Sequence, residues 1–217
     1  MRLLYKDPWL FAVEKPAGLP TLSAPRGQPM TLSSEIAKQF PEQSAIKDCG
    51  IVHRLDNDTS GIVIVARSQK IYDRLREIWN TEAVQKIYHA WVIGDLEGSG
   101  EIDTPIAHHL RKKKKMVVHA EGRPAVTRWI CIRSQAPRKE TSRGARHLMQ
   151  TLLEISITTG VRHQIRVHLA SIGHPIVGDS LYQRGEKMGD SLQLRLVQIT
   201  LPHPQTKATL QLQSKSL

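Results

Sequence analysis

Short apolar runs, broken by Gly, Pro and polar residues, set the elements this chain predicts. Residues 10–13 (LFAV) read as a strand, which Pro16, Gly18 and Pro20 then break into a turn. Residues 31–40 place Leu32, Ile36 and Phe40 at the fourfold spacing of one helix face, with Thr31 as the cap and Pro41 as the stop. Residues 61–66 (GIVIVA) are strongly β-prone and read as a buried strand. Ser68 then caps a second helix whose Ile71, Leu75, Ile78 and Trp79 recur at the period of a buried face. Residues 87–93, 125–132, 148–157, 194–201 and 209–212 read as further strands, several with period-two alternation. A third helix is predicted over 161–172, where Ile165, Leu169 and Ile172 share a face and Gly173 ends it. That helix sets Arg162 and Arg166 one turn apart and projecting to one side.

Strands outnumber helices without alternating regularly with them, so the expected class is α+β on a largely antiparallel sheet. The 217 residues are expected to form a single domain, 1–217. A hydrophobic content of 40% is still compatible with a packed core. No apolar run reaches the roughly 18 residues of a membrane span, and the opening MRLLYKDPWLF lacks a signal-peptide core. A soluble, cytoplasmic, monomeric protein is therefore expected, with Cys49 and Cys131 as free thiols.

Charge changes the picture more than composition does. The chain carries 31 Lys plus Arg against 20 Asp plus Glu, a net +11, which points to a polyanionic partner because phosphates attract these side chains and release counterions. Two basic stretches, 111–116 (RKKKKM) and 134–147, read as mobile loops suited to phosphate contact. The ten histidines lack the acidic partners and spacing of zinc helices, so neither a metal nor a cofactor is expected.

Candidate chemistry centres on residues 51–68, IVHRLDNDTSGIVIVARS, where Asp56 and Arg54 sit in a loop at the mouth of the buried strand. Its HRLD-x-x-TSG string resembles the catalytic segment of the RluA-type pseudouridine synthases. Far along the chain, residues 159–182, TGVRHQIRVHLASIGHPIVGDSLY, resemble the same family's second block. Residues 85–94 (QKIYHAWVIG), the opening strand with its KP-x-G turn, and GRPAVTRW from Gly122 onward match in the expected order. The second block departs at Val161, where the family carries an arginine; here Arg162 follows instead.

The resemblance implies the pseudouridine synthase fold, with flanking helices and loops around a central cleft, and an RNA substrate, a tRNA or rRNA stem-loop. It implies Asp56 as nucleophile, Tyr88 stacked under the uracil and Arg166 paired with Asp56, with Arg54 helping to displace the base. His53, not itself catalytic, Thr59, Arg162 and Ile165 are assigned to substrate binding, and Lys112, Lys113 and Lys114 to RNA phosphates. The residue types suit this chemistry. Aspartate as a class ionises near about 3.9, so it needs no separate base at neutral pH, whereas a carboxylate out of water needs a cation to stay charged. Two other readings fit less of the chain: a non-catalytic RNA-binding or assembly protein on the same fold, and a hydrolase with an aspartate nucleophile. No separate RNA-binding module of the S4 type is expected.

Overall fold

A computed structural model describes residues 1–22, 30–135, 149–183 and 189–217. In chain order these form β1 (Arg2–Lys6), β2 (Leu10–Lys15), α1 (Leu32–Gln39), β3 (Ser60–Ala66), α2 (Gln69–Ile78), β4 (Gln85–Ile93), β5 (Ser99–Asp103), β6 (Ile106–His108), β7 (Met116–Val118), β8 (Val126–Gln135), β9 (Gln150–Ile157), α3 (Gln164–Ser171), β10 (Leu194–Pro202) and β11 (Thr209–Gln213). The class is α+β with mostly antiparallel pairing, as the strand-rich pattern predicts. The chain divides into two compact units, residues 1–87 with 195–216, and residues 88–194 with Leu217.

In the first unit the strands run in the order β1-β2-β3-β10, with β11 on β10. Every residue of β3 is buried, which is why its sequence is a continuous apolar run and not an alternating one. Its parallel pairing with β10 explains Gly61, whose φ is +124° and whose Cβ, were there one, would lie 2.3 Å from the Leu196 carbonyl oxygen. α2 packs on β3 with Ile71 and Leu75 buried, and the Ser68 hydroxyl accepts from the Ile71 amide as predicted. α1 begins at the expected cap: Thr31 Oγ1 accepts from the Ser34 amide at 3.1 Å, and Ser34 Oγ accepts from the Thr31 amide in return.

In the second unit the order is β4-β9-β8-β5, and β6 and β7 form a separate hairpin. α3 starts at Gln164, later than the apolar spacing suggests, because His163 has a left-handed backbone with φ 56°. This corrects one expectation. Arg162 lies before the helix and is exposed, while Arg166 is buried inside it, so the two do not share a side. Val161 faces inward with Ile106, Met116, Ala125, Val167 and Tyr182, so the position where the family carries an arginine is here a core position.

Candidate functional site

The segment around Asp56 is bolted down through its backbone. The Val52 amide donates to the Ile64 carbonyl at 3.0 Å, and the Val52 carbonyl accepts from Arg76 at 2.8 Å. Thr21 Oγ1 donates to the Leu55 carbonyl and accepts from the Leu55 amide, while the Thr59 amide closes a turn onto the Asp56 carbonyl. The ammonium of Lys15 completes the clamp, donating to the carbonyls of Pro16, Leu19 and Asn57 at 3.0, 2.6 and 2.8 Å. Burial pushes the Lys15 amine down to about 8, and the nearby Asp58 and Asp56 carboxylates oppose that shift. Lys15 thus ties the KP-x-G turn to the aspartate loop, a role that no spacing in the sequence announces. Asp56 is half-buried on this rigid loop, and Arg54 beside it is exposed.

His53 and Thr59, both assigned to substrate binding, lie buried beside the aspartate loop. His53 is buried, its Nε2 accepts from the Ile64 amide at 3.2 Å, and its ring stacks on Trp79 at 4.1 Å. Burial, followed by the Lys86 and Arg76 charges, pushes its imidazole down to about 3. It is a neutral strut of the loop. Thr59 is likewise buried.

That histidine makes acid stability a test. The unfolded imidazole titrates near 6.5 and the folded one near 3, so between those values the unfolded chain binds the extra proton. The stability is complete above about 6.5, is lost as pH falls, and levels off near 3. At about pH 5 the loss is expected to be about 2 kcal/mol. Urea unfolding at pH near 7 and near 5 checks it: His53→Gln, which cannot titrate, should show a correspondingly smaller difference between the two conditions.

In the second unit the second sequence block forms one buried network. Arg166 donates from Nε and one terminal nitrogen to Asp179 Oδ2 and Oδ1 at 2.7 and 2.8 Å, a bidentate pair with both side chains buried. Asp179 Oδ1 also accepts from the amides of Leu181 and Tyr182 at 2.9 and 3.2 Å. The Tyr182 ring lies under the Arg166 guanidinium at 5.4 Å, and its hydroxyl accepts from the Met116 amide and bonds His163 Nδ1. Gln164 accepts from Thr159 and the Val161 amide and donates to the Val126 carbonyl, fixing the start of α3. His168 bridges Thr127 and Thr104, and burial lowers its pKa. The arrangement holds one guanidinium in a single orientation out of water, as recognition of a second carboxylate or a phosphate requires.

Tyr88 is buried on β4, on the strand face shared by Lys86, Ala90 and Val92. Ile165 is buried beside Arg166 in α3. Lys112, Lys113 and Lys114 are exposed in the β6–β7 turn. The basic stretch 134–147 falls outside the described residues beyond Gln135. Asp179 and Tyr182, which the GD-x-x-Y end of the second block contains, carry no role in the sequence reading and join this network in the structure. Among the described residues no group of three or more His, Cys, Asp or Glu is placed to hold a metal ion, and no helix is long and apolar enough to cross a membrane.

Comparison with known proteins agrees with these motifs. Residues 10–171 match the family described as RNA pseudouridylate synthase, and the chain belongs to that family. It is 36% identical over 185 residues to ribosomal large subunit pseudouridine synthase D of Nitrosomonas europaea, covering 85% of this chain and 50% of that protein. The Pseudomonas aeruginosa protein of the same name is 34% identical over 182 residues, covering 84% of this chain and 53% of its own length. The chain thus spans about half the length of these curated relatives. Human RNA pseudouridylate synthase domain containing 1 shares the fold with a TM-score of 0.78 at 20% identity, over 99% of this chain and 83% of the human one. Its counterpart, domain containing 4, does so with a TM-score of 0.74 at 22% identity, over 100% of this chain and 88% of that one.

Proposed function

We propose that this chain is an RNA pseudouridine synthase, acting as one catalytic domain in the cytoplasm and using Asp56 as nucleophile on a uridine of structured RNA. The observation that carries the reading is the aspartate loop itself. Lys15, Thr21, Arg76 and His53 hold it by its main chain or brace its neighbouring strand, while the Asp56 side chain stays only half-buried and Arg54 faces solvent. Rigid support of the backbone that carries it is how a reacting group is pre-positioned. The relatives' names specify the large ribosomal subunit, which favours ribosomal over transfer RNA.

The reaction is an isomerisation. The bond from ribose C1′ to uracil N1 breaks, the base turns, C1′ bonds to C5, the C5 hydrogen leaves to solvent and N1 gains a proton. Atoms and electrons balance without an added group or redox partner, so the protein must supply a nucleophile, charge stabilisation and a pocket that retains the base. Asp56 supplies the first, and Arg166, oriented by Asp179, is the proposed counter-charge to its carboxylate. Tyr88 is the proposed platform for the uracil, and Arg54 takes the space the extruded base vacates. Mapping pseudouridine across RNA from cells with and without this protein tests the reading. At least one ribosomal or transfer RNA position should lose the modification; an unchanged map would leave the chain an RNA-binding protein.

A further inference from the structure

The β6–β7 hairpin is built unlike an ordinary surface turn. Its base is anchored in the core, with Ile106 and Met116 buried against Val161, Val167 and Tyr182, and the Met116 amide bonded to the Tyr182 hydroxyl at 2.8 Å. Its turn is internally braced. The His109 amide donates to the Lys115 carbonyl at 3.0 Å, and the Lys115 amide to the Lys112 carbonyl at 2.8 Å. His109 Nδ1 accepts from the amides of Arg111 and Lys112 at 3.1 and 3.3 Å. On this braced turn Leu110 is 99% exposed, between a histidine and an arginine.

Beside the turn lies an open pocket lined by Lys112, Lys113, Lys114, Lys115, Ser180 and Leu181, with four cations and no carboxylate. Lys115 is seated over the Tyr182 ring at 5.1 Å, which fixes the floor of the pocket to the Arg166 network. Like charges gathered around a concavity repel one another unless a polyanion enters, and a phosphodiester with its two free oxygens suits lysines and a serine hydroxyl. A lone exposed leucine is common on protein surfaces. One held fully in water at the tip of a braced basic turn, next to an open cationic pocket of about 400 Å³, is a different case.

We infer that the hairpin is an RNA-opening wedge: the lysine pocket seats a phosphodiester of a base-paired stem, and Leu110 enters the adjacent base step. Apolar side chains that enter base steps unstack them, at a cost that backbone contacts offset. The inference rests on the proposed action on structured RNA and adds which element opens its stem, and with which side chain. It also gives the Arg166 network a mechanical link to the bound strand, through Tyr182 and Lys115.

The test uses the full chain and a short RNA hairpin carrying a fluorescent base analogue in its stem. With the parent protein, binding should raise the fluorescence as the stem unstacks. Leu110→Ser should bind within about twofold of the parent yet lose most of that rise. Ser180→Glu, which sets a carboxylate in the exposed pocket, should weaken binding roughly tenfold and flatten the log-log salt slope by about 0.7 to 0.9, the loss of one phosphate contact. A parent-like fluorescence rise with Leu110→Ser overturns the wedge, and parent-like affinity and salt slope with Ser180→Glu overturn the pocket; neither touches the proposed isomerase activity. A parent protein that converts uridine in cells but binds this hairpin without a fluorescence rise overturns the inference alone. Absence of any RNA binding by the parent overturns the functional reading with it.

Discussion

Asp56→Asn is expected to lower the rate of uridine isomerisation by about four orders of magnitude or more, the scale on which enzymes respond to loss of a nucleophile. The amide is nearly the size of the carboxylate, and main-chain contacts hold the loop: the Asp56 carbonyl to the Thr59 amide, the Asn57 carbonyl to Lys15, the Leu55 backbone to Thr21. The fold should therefore survive, with an unfolding midpoint close to the parent's and RNA affinity little changed. Single-turnover assays on the substrate RNA, beside urea unfolding and binding measurements on the same preparations, separate the two effects. A variant that still turns over within tenfold of the parent removes Asp56 from the chemistry.

The second large effect falls on Asp179. Asp179→Asn puts an amide N–H where Oδ2 now accepts from Arg166 Nε, so a buried guanidinium loses half of its bidentate partner and meets a donor instead. Breaking a buried pair from one side costs about 3–5 kcal/mol, because the remaining charge loses its bidentate partner out of water. Adding Arg166→Met should restore much of that loss: the charge is gone, and the side-chain carbonyl that remains after the first change can still accept from the Leu181 and Tyr182 amides. Activity should not return with stability, since the double variant lacks the guanidinium. Denaturant midpoints and turnover rates for the two single variants and the double variant give the answer. Recovery of both together would make the pair a structural element only.

Much of this molecule is legible from local pattern, and the remainder for identifiable reasons is not. α1 and α2 are predicted with their caps because Thr31 and Ser68 precede apolar residues at helical spacing, and both hydroxyls do accept from the first turn. β3 is equally plain as an unbroken run. α3 is misjudged at its start because apolar period carries no record of the left-handed turn at His163. The strands β1, β5, β6 and β7 escape notice because they are short or half-exposed, so neither alternation nor a long apolar run marks them.

The aspartate loop is legible as a motif, but its supports are not. Lys15 and Thr21 act on it from far earlier in the chain, and a lysine in a turn reads as solvated until its three carbonyl partners are seen. Asp179 is hidden for a similar reason: it follows a glycine in a loop, and only the fold turns it into the clamp of a helix arginine. His53 gains its structural contacts in the same way. Nothing in its sequence neighbourhood shows that its ring stacks on Trp79 and accepts from the Ile64 amide.

The proposed chemistry has a direct readout in the hydrogen at uracil C5. RNA transcribed with tritium at that position, incubated with the purified chain, should release tritium to water in proportion to pseudouridine formed, with no free uracil and no change in RNA mass, and Asp56→Asn should release none. Free uracil or an abasic site would instead identify a hydrolase, and no release from any ribosomal or transfer RNA tested would contradict the isomerase altogether.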